Sequence, residues 1–255
     1  MATERDKYKE RIRYEQYSRS ASLETYGSAS IPKHLRTPYV FYELELQRLL
    51  SSQIRVLELG AGTGTHSSIP KTASETILLD ISSSSLHVNL NSPPLAAHGV
   101  CGDIELLPFS DDTFDLVCGA GILSYGDTVK VQNEIERVLS SGGSLVLVDS
   151  LNSNPVYRLN RRIHWLRGHR TVSTLRSMPS QRSISALTAH FQEVNVKYFD
   201  HWVFLFPLLR LTIGLQRATT VFEWLNATIS PNWMAFKLVL VATNFQGPTN
   251  SQLNP

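Results

Sequence analysis

Residues 56–67 read VLELGAGTGTHS. An apolar run, Val56-Leu57-Glu58-Leu59, passes at once into Gly60, Ala61, Gly62 and Gly64. Glycine permits positive φ and, having no Cβ, lets another group approach the backbone closely. In an open parallel sheet that approach happens beyond the carboxyl ends of the strands, where the first strand turns into its helix. The spacing narrows the ligand. A dinucleotide turn reads G-x-G-x-x-G, whereas here Thr65 stands where its third glycine would fall and Glu58 precedes the turn. A carboxylate there repels a pyrophosphate and suits a ligand that carries positive charge.

Around this turn lie further short apolar runs: IRVLEL (54–59), TILLDI (76–81), GVCGDI (99–104), FDLVCGAG (114–121) and SLVLVDS (144–150). Runs nearly continuous in Val, Ile and Leu suit strands covered on both faces. Between the last two, Val131, Ile135, Val138 and Leu139 recur at helical spacing, with Asp127 as N-cap and Gly142-Gly143 as the stop. Residues 38–50 also read as a helix, through Tyr39, Tyr42, Leu46 and Leu49. VNVKYFD (194–200) and MAFKLVLVATN (234–244) read as two later strands. Alternating strands and helices give a doubly wound α/β domain.

Asp80 ends the second run 20 residues after Gly60, the distance at which an acid accepts hydrogen bonds from ribose hydroxyls. Asp103-Ile104 follow the third run; there a carboxylate accepts from an adenine amine while the apolar side chain packs on the ring. Together these features describe an adenosine without phosphates. At this point VLELGAGTG, LLDIS, GDIELLPFSDDTFDLVCGAGILSY and EIERVLSSGGSLVLVDS, in this order, resemble the class I S-adenosylmethionine-dependent methyltransferases over residues 54–150. The resemblance implies a Rossmann-like, seven-stranded sheet of order 3-2-1-4-5-7-6 with strand 7 antiparallel. It implies a cofactor, S-adenosylmethionine, held by Glu58, Gly60, Ala61, Gly62, Gly64, Asp80, Ile81, Asp103, Ile104 and Ala120. The chain departs from the family in two places: THSSIPKTASE (65–75) leaves a stunted first helix, and Ser140-Ser141 stand where a basic residue is usual before the Gly-Gly.

Methyl transfer needs an aligned acceptor and, for a hydroxyl, a base. Tyr125, Asp149 and His164 are the candidates, with Asp149 or His164 as base and Tyr125 orienting the acceptor. From Leu151 to Arg182 the chain carries seven arginines, among them Arg158, Arg161 and Arg162, with no acid and no lysine. Arginine binds carboxylate and phosphate in a planar, bidentate manner, so the expected acceptor is a small anionic metabolite, sugar-linked or specialised; a solvated basic face is the plainer alternative. No metal is expected.

Composition bounds the rest. In 255 residues, 24 Lys and Arg against 22 Asp and Glu give a net charge of +2, and no appended RNA-binding module is visible. Nucleic acid is therefore not the expected partner, although an RNA methyltransferase and a non-catalytic cofactor-binding module remain the rival readings. Cys101 and Cys118 lack C-x-x-C spacing and read as reduced cysteines. The first 20 residues are charged without an apolar h-region, so the expectation is a cytoplasmic protein with no transmembrane segment. WVFLFPLLRLTIGL (202–215), interrupted by Pro207 and Arg210, reads as a helical lid, with a dimer contact or a peripheral membrane contact as alternatives. The expected layout is one methyltransferase domain over 1–255, with an N-terminal helical cap (1–50), a helical insertion (201–232) and a flexible tail (245–255), monomeric or homodimeric.

Overall fold

The computed structural model describes residues 4–20, 29, 31–64, 75–91, 97–166 and 177–247. Seven strands form one sheet in the order β3-β2-β1-β4-β5-β7-β6: β1 (Arg55–Leu59), β2 (Glu75–Asp80), β3 (His98–Cys101), β4 (Phe114–Ala120), β5 (Leu139–Ser150), β6 (Phe191–Phe199) and β7 (Lys237–Phe245). The pairs β3–β2, β2–β1, β1–β4 and β4–β5 are parallel, while β7 runs antiparallel to both β5 and β6. This is the order and polarity that the resemblance implies.

The apolar runs are continuous because both faces of the sheet are covered. Successive side chains of a strand point to opposite faces. Leu57, Leu59, Val117, Leu145 and Leu147 pack with Val131, Ile135 and Val138 of α4 (Thr128–Val138). Val56, Leu116, Cys118, Val146 and Val148 pack with Tyr39, Tyr42 and Leu46 of α2 (Thr37–Leu49). The remaining helices are α1 (Glu4–Ser20), α3 (Ser83–Leu90), α5 (Pro155–Leu166), α6 (Gln181–Leu187), α7 (Phe206–Ile213) and α8 (Leu215–Thr228). The last two fill the stretch between β6 and β7, where Phe206, Ala218 and Phe222 form a small core of their own.

Three expectations change. Gly142-Gly143 does not stop α4: the helix ends at Val138, and β5 begins at Leu139 rather than at Ser144. The two glycines lie within a register shift between β4 and β5. Gly142 has φ +78°, and a Cβ on Gly143 would lie 2.3 Å from Leu139 Cδ2. The third strand ends at Cys101, so Gly102-Asp103-Ile104 belong to the turn beyond it, closed by an Asp103–Leu106 bridge. β7 runs on to Phe245, where the tail was expected to start. Residues 248–255 of that tail and residues 65–74, where the stunted helix was expected, lie outside the described residues.

Candidate active site

Each glycine after β1 answers to a different neighbour. Gly60, Gly62 and Gly64 have φ of +63°, +52° and +78°. A Cβ on Gly60 would sit 2.7 Å from Ile122 Cγ2, and one on Gly64 2.8 Å from Asn89 Oδ1. Among the described residues, one on Gly62 would meet nothing closer than Gly60 O at 3.9 Å. Two glycines therefore admit protein, and the middle one leaves an open face.

Asp80 braces this face from the end of β2. One carboxylate oxygen accepts from Gly62 N at 2.9 Å and the other from Ser82 N at 2.8 Å. Burial pushes its carboxyl up, and the backbone donors pull it back. The capping of α3 is done by Ser82, whose hydroxyl accepts from Ser85 N, so the acid is not needed as a cap. Ala61 N donates to Leu79 O. Asn89 of α3 holds the turn from the other side, donating to Ala61 O and Gly62 O at 3.1 and 3.4 Å. Sequence reasoning missed Asn89, which is buried beside Ser85 and Leu86 on the inner face of α3. Glu58 is 4% exposed and lies beside Cys118, whose thiol is pushed up by burial first and by Glu58 second. It faces the α2 side of the sheet rather than an open mouth.

Beyond β3, Asp103 accepts from Glu105 N at 2.9 Å and from the Lys7 ammonium of α1. Lys7 also donates to Glu105 at 2.8 Å, and Glu105 in turn accepts from Asp127 N at 2.7 Å. Burial opposes the charge on Lys7, but the two carboxylates outweigh it and raise its pKa. Ile104 packs on the sheet core. Arg137 pins the segment that follows: it donates to the carbonyls of Leu107 and Phe109 and to Glu134 and Asp111, all at 2.7–3.0 Å. Arg137→Ala is therefore expected to lower stability by about 1–3 kcal/mol through unsatisfied carbonyls and acids, with Arg137→Lys recovering only part of it because the planar fork is lost. Thermal melts of the three proteins check this.

The carboxyl ends of β4 and β5 hold the residues expected on the acceptor side. Ala120 ends β4, and Gly121, with φ +73°, has no atom of the described residues within 4 Å of where its Cβ would lie. Tyr125 accepts a 2.8 Å hydrogen bond from the Tyr14 hydroxyl of α1, with the two rings edge to face. Asp149, expected as a base, is only 1% exposed, and its oxygens accept from Leu123 N at 2.8 Å and Ser150 N at 2.6 Å. A base needs a lone pair that the acceptor can reach; Asp149 instead fixes the turn after β4. Burial pushes its carboxyl up, while Lys237, both amides and Arg161 pull it down.

The three arginines separate. Arg161 is buried and donates to Leu151 O at 2.8 Å and to Asn152 Oδ1 at 3.4 Å, with Asp149 near enough to feel its charge. Arg158 and Arg162 are exposed. The side chain of His164, like Arg167, Arg170 and Arg176, lies outside the described residues. Sequence reasoning also missed Asp200, just beyond β6. It has φ +58° and is 5% exposed, and its Oδ2 has no hydrogen-bond partner among the described residues. Burial pushes its carboxyl up to about 7, with Lys237 opposing.

Comparison with known proteins agrees with this geometry. Residues 57–147 match the family model described as Methyltransferase domain. The chain is 32% identical over 149 residues to a malonyl-[acyl-carrier protein] O-methyltransferase of Herminiimonas arsenicoxydans, covering 58% of this chain and 56% of that one. It is 35% identical over 116 residues to a demethylmenaquinone methyltransferase of Thermobifida fusca, covering 43% and 49%. The chain thus spans about half the length of these curated relatives. In fold it is similar to an S-adenosylmethionine-dependent methyltransferase of Thermotoga maritima (TM-score 0.54, 17% identity, 83% and 90% covered). It is likewise similar to a Haemonchus contortus phosphoethanolamine N-methyltransferase bound to S-adenosylhomocysteine (TM-score 0.55, 15% identity, 82% and 53% covered). The sheet order and the match over residues 57–147 make this region similar to the methyltransferase domains of the class I, S-adenosylmethionine-dependent kind.

Proposed function

We propose that this protein transfers a methyl group from S-adenosylmethionine to a small anionic acceptor. The observation that carries the cofactor half is the open face of Gly62 beside Asp80. A backbone clear of Cβ atoms, with a buried acid braced at its edge, fits an adenosine whose ribose hydroxyls donate to the lone pairs Asp80 has left. Asp103 and Ile104 would take the adenine, and the Gly60–Gly64 turn with Ala120 the methionine end. When bound, the cofactor supplies a methyl group on an already activated sulfonium.

What the chain contributes is alignment. Asp149 holds Leu123 N, and with it the turn between β4 and Tyr125, so the acceptor meets a fixed wall. Tyr125 orients the acceptor through a hydroxyl already polarised by Tyr14. With both Asp149 oxygens engaged by backbone amides, Asp149 is assigned no part as base, and an acceptor whose nucleophile is already ionised or unprotonated is favoured. Arg158 and Arg162, exposed on α5, are the cations proposed to meet it.

Isothermal titration with S-adenosylmethionine and with its demethylated product tests the reading. Both should bind, and Asp80→Ala should weaken them by about 1–3 kcal/mol, the cost of unpaired buried partners. Equal affinity in wild type and variant, preferential binding of NAD, or methyl incorporation into RNA rather than small acceptors would each overturn it.

A further inference from the structure

Helix α5 is inverted relative to the usual amphipathic surface helix. Val156, Leu159, Ile163 and Leu166 recur at intervals of three and four residues, one stripe of a helix, yet they are 43%, 60%, 38% and 75% exposed. The face that meets the fold carries Tyr157 and Arg161 instead. The Tyr157 ring packs on Phe236 at 4.3 Å, and Arg161 lies over the same phenylalanine. Arg158 and Arg162, one turn apart, are exposed between the two faces. Tyr157 also touches Phe204, in the short turn Val203–Leu205 that leads into α7. There Leu208 and Leu211 are again strongly exposed, with Arg210 exposed between them.

Two properties of this surface choose its partner. Each helix exposes large apolar side chains, those of α5 at the spacing of one stripe, and residues 151–192 and 201–222, which include both helices, contain no acid. A second copy of the chain, meeting it in a two-fold interface, would set the same arginines against each other. A small soluble anion would satisfy the arginines but leave the leucines in water. An anionic lipid surface satisfies both, since acyl chains accept the stripe and headgroups accept the guanidinium groups.

We infer that the exposed faces of α5 and α7 dock this protein on anionic membranes, with Leu159, Ile163 and Leu211 entering the lipid and Arg158, Arg162 and Arg210 at the headgroups. No helix among the described residues is long and apolar enough to cross a membrane, so the attachment is peripheral. Sedimentation reads it without cofactor or acceptor; on the membrane Arg158 and Arg162, also proposed for the acceptor, turn to the headgroups, and the β5 end of the active site lies beside the lipid surface.

The full chain is tested by co-sedimentation with phosphatidylcholine vesicles, with and without phosphatidylglycerol. The partition coefficient should rise about tenfold or more with the anionic lipid and fall in high salt, as screened charge requires. The double variant Leu159→Asp, Ile163→Asp should abolish binding. Arg158→Gln with Arg162→Gln should remove the preference for anionic lipid. Val129→Asp, at an exposed site on α4, should change nothing, and all variants should keep the wild-type melting transition because every altered side chain is exposed. Absence of sedimentation with either vesicle, or sedimentation that both double variants leave intact, overturns the inference. A concentration-dependent dimer in analytical ultracentrifugation that Leu159→Asp dissolves would assign the surface to a second copy instead.

Discussion

Asp200→Asn is expected to make the protein more stable than wild type at pH 8 and to flatten the dependence of stability on pH. The folded carboxyl is pushed up from 3.8 to about 7 by burial, whereas in the unfolded chain it titrates near 3.8. Between those values the folded protein holds a proton that the unfolded chain has released. Stability is therefore fully present below pH 4 and is lost as pH rises towards 7. About three pKa units, with the opposing pull of Lys237 already included, correspond to a loss on the order of 3–4 kcal/mol. Asparagine removes the charge, keeps the shape, and tolerates the φ of +58° that most side chains resist. Urea melts from pH 4 to pH 8 should give curves for the two proteins that diverge as pH rises. Parallel curves would mean that Asp200 is ionised and paired in the folded state.

Gly62→Val is expected to abolish cofactor binding, raising Kd by two orders of magnitude or more, about 3 kcal/mol. The open face at Gly62 is the space that the ligand is proposed to fill, and a branched side chain would occupy it. Valine at φ +52° also strains the backbone, by about 1–3 kcal/mol, so the comparison needs a matched control. Gly142→Val carries the same burden, with φ +78° and no atom within 4 Å, but at the amino edge of the sheet near the start of β5. If both variants lose similar stability and only Gly62→Val loses S-adenosylmethionine, the effect is steric. If Gly62→Val binds as wild type does, the turn is only a connection between strand and helix.

The parallel half of the sheet was legible because its determinants are local. Strands buried on both faces leave continuous apolar runs, and a ligand that must touch backbone leaves glycines, so Leu57 to Gly64 announced both at once. Asp80 was legible for the same reason: its partners, Gly62 N and Ser82 N, sit at the ends of strands whose spacing is set by the chain between them. The antiparallel placement of β7 followed from the family resemblance, not from periodicity.

The acceptor side was not legible, because there function depends on which atoms a side chain reaches, and those atoms come from distant segments. Asp149 reads as a base in sequence, yet it is consumed by Leu123 N, 26 residues away. Arg161 reads like Arg158 and Arg162, and only the packing of α5 on Phe236 buries one and exposes the others. Asp200 carries no motif; its poise near neutrality arises from burial at the end of β6. The glycine turn, the acid at the end of β2 and the order of the runs were thus determined by the sequence itself, through rules of covalent geometry and period. Which charges are neutralised inside the fold, and which apolar stripe is left facing outward, were decided only by tertiary packing, because desolvation depends on every neighbour and not on spacing along the chain.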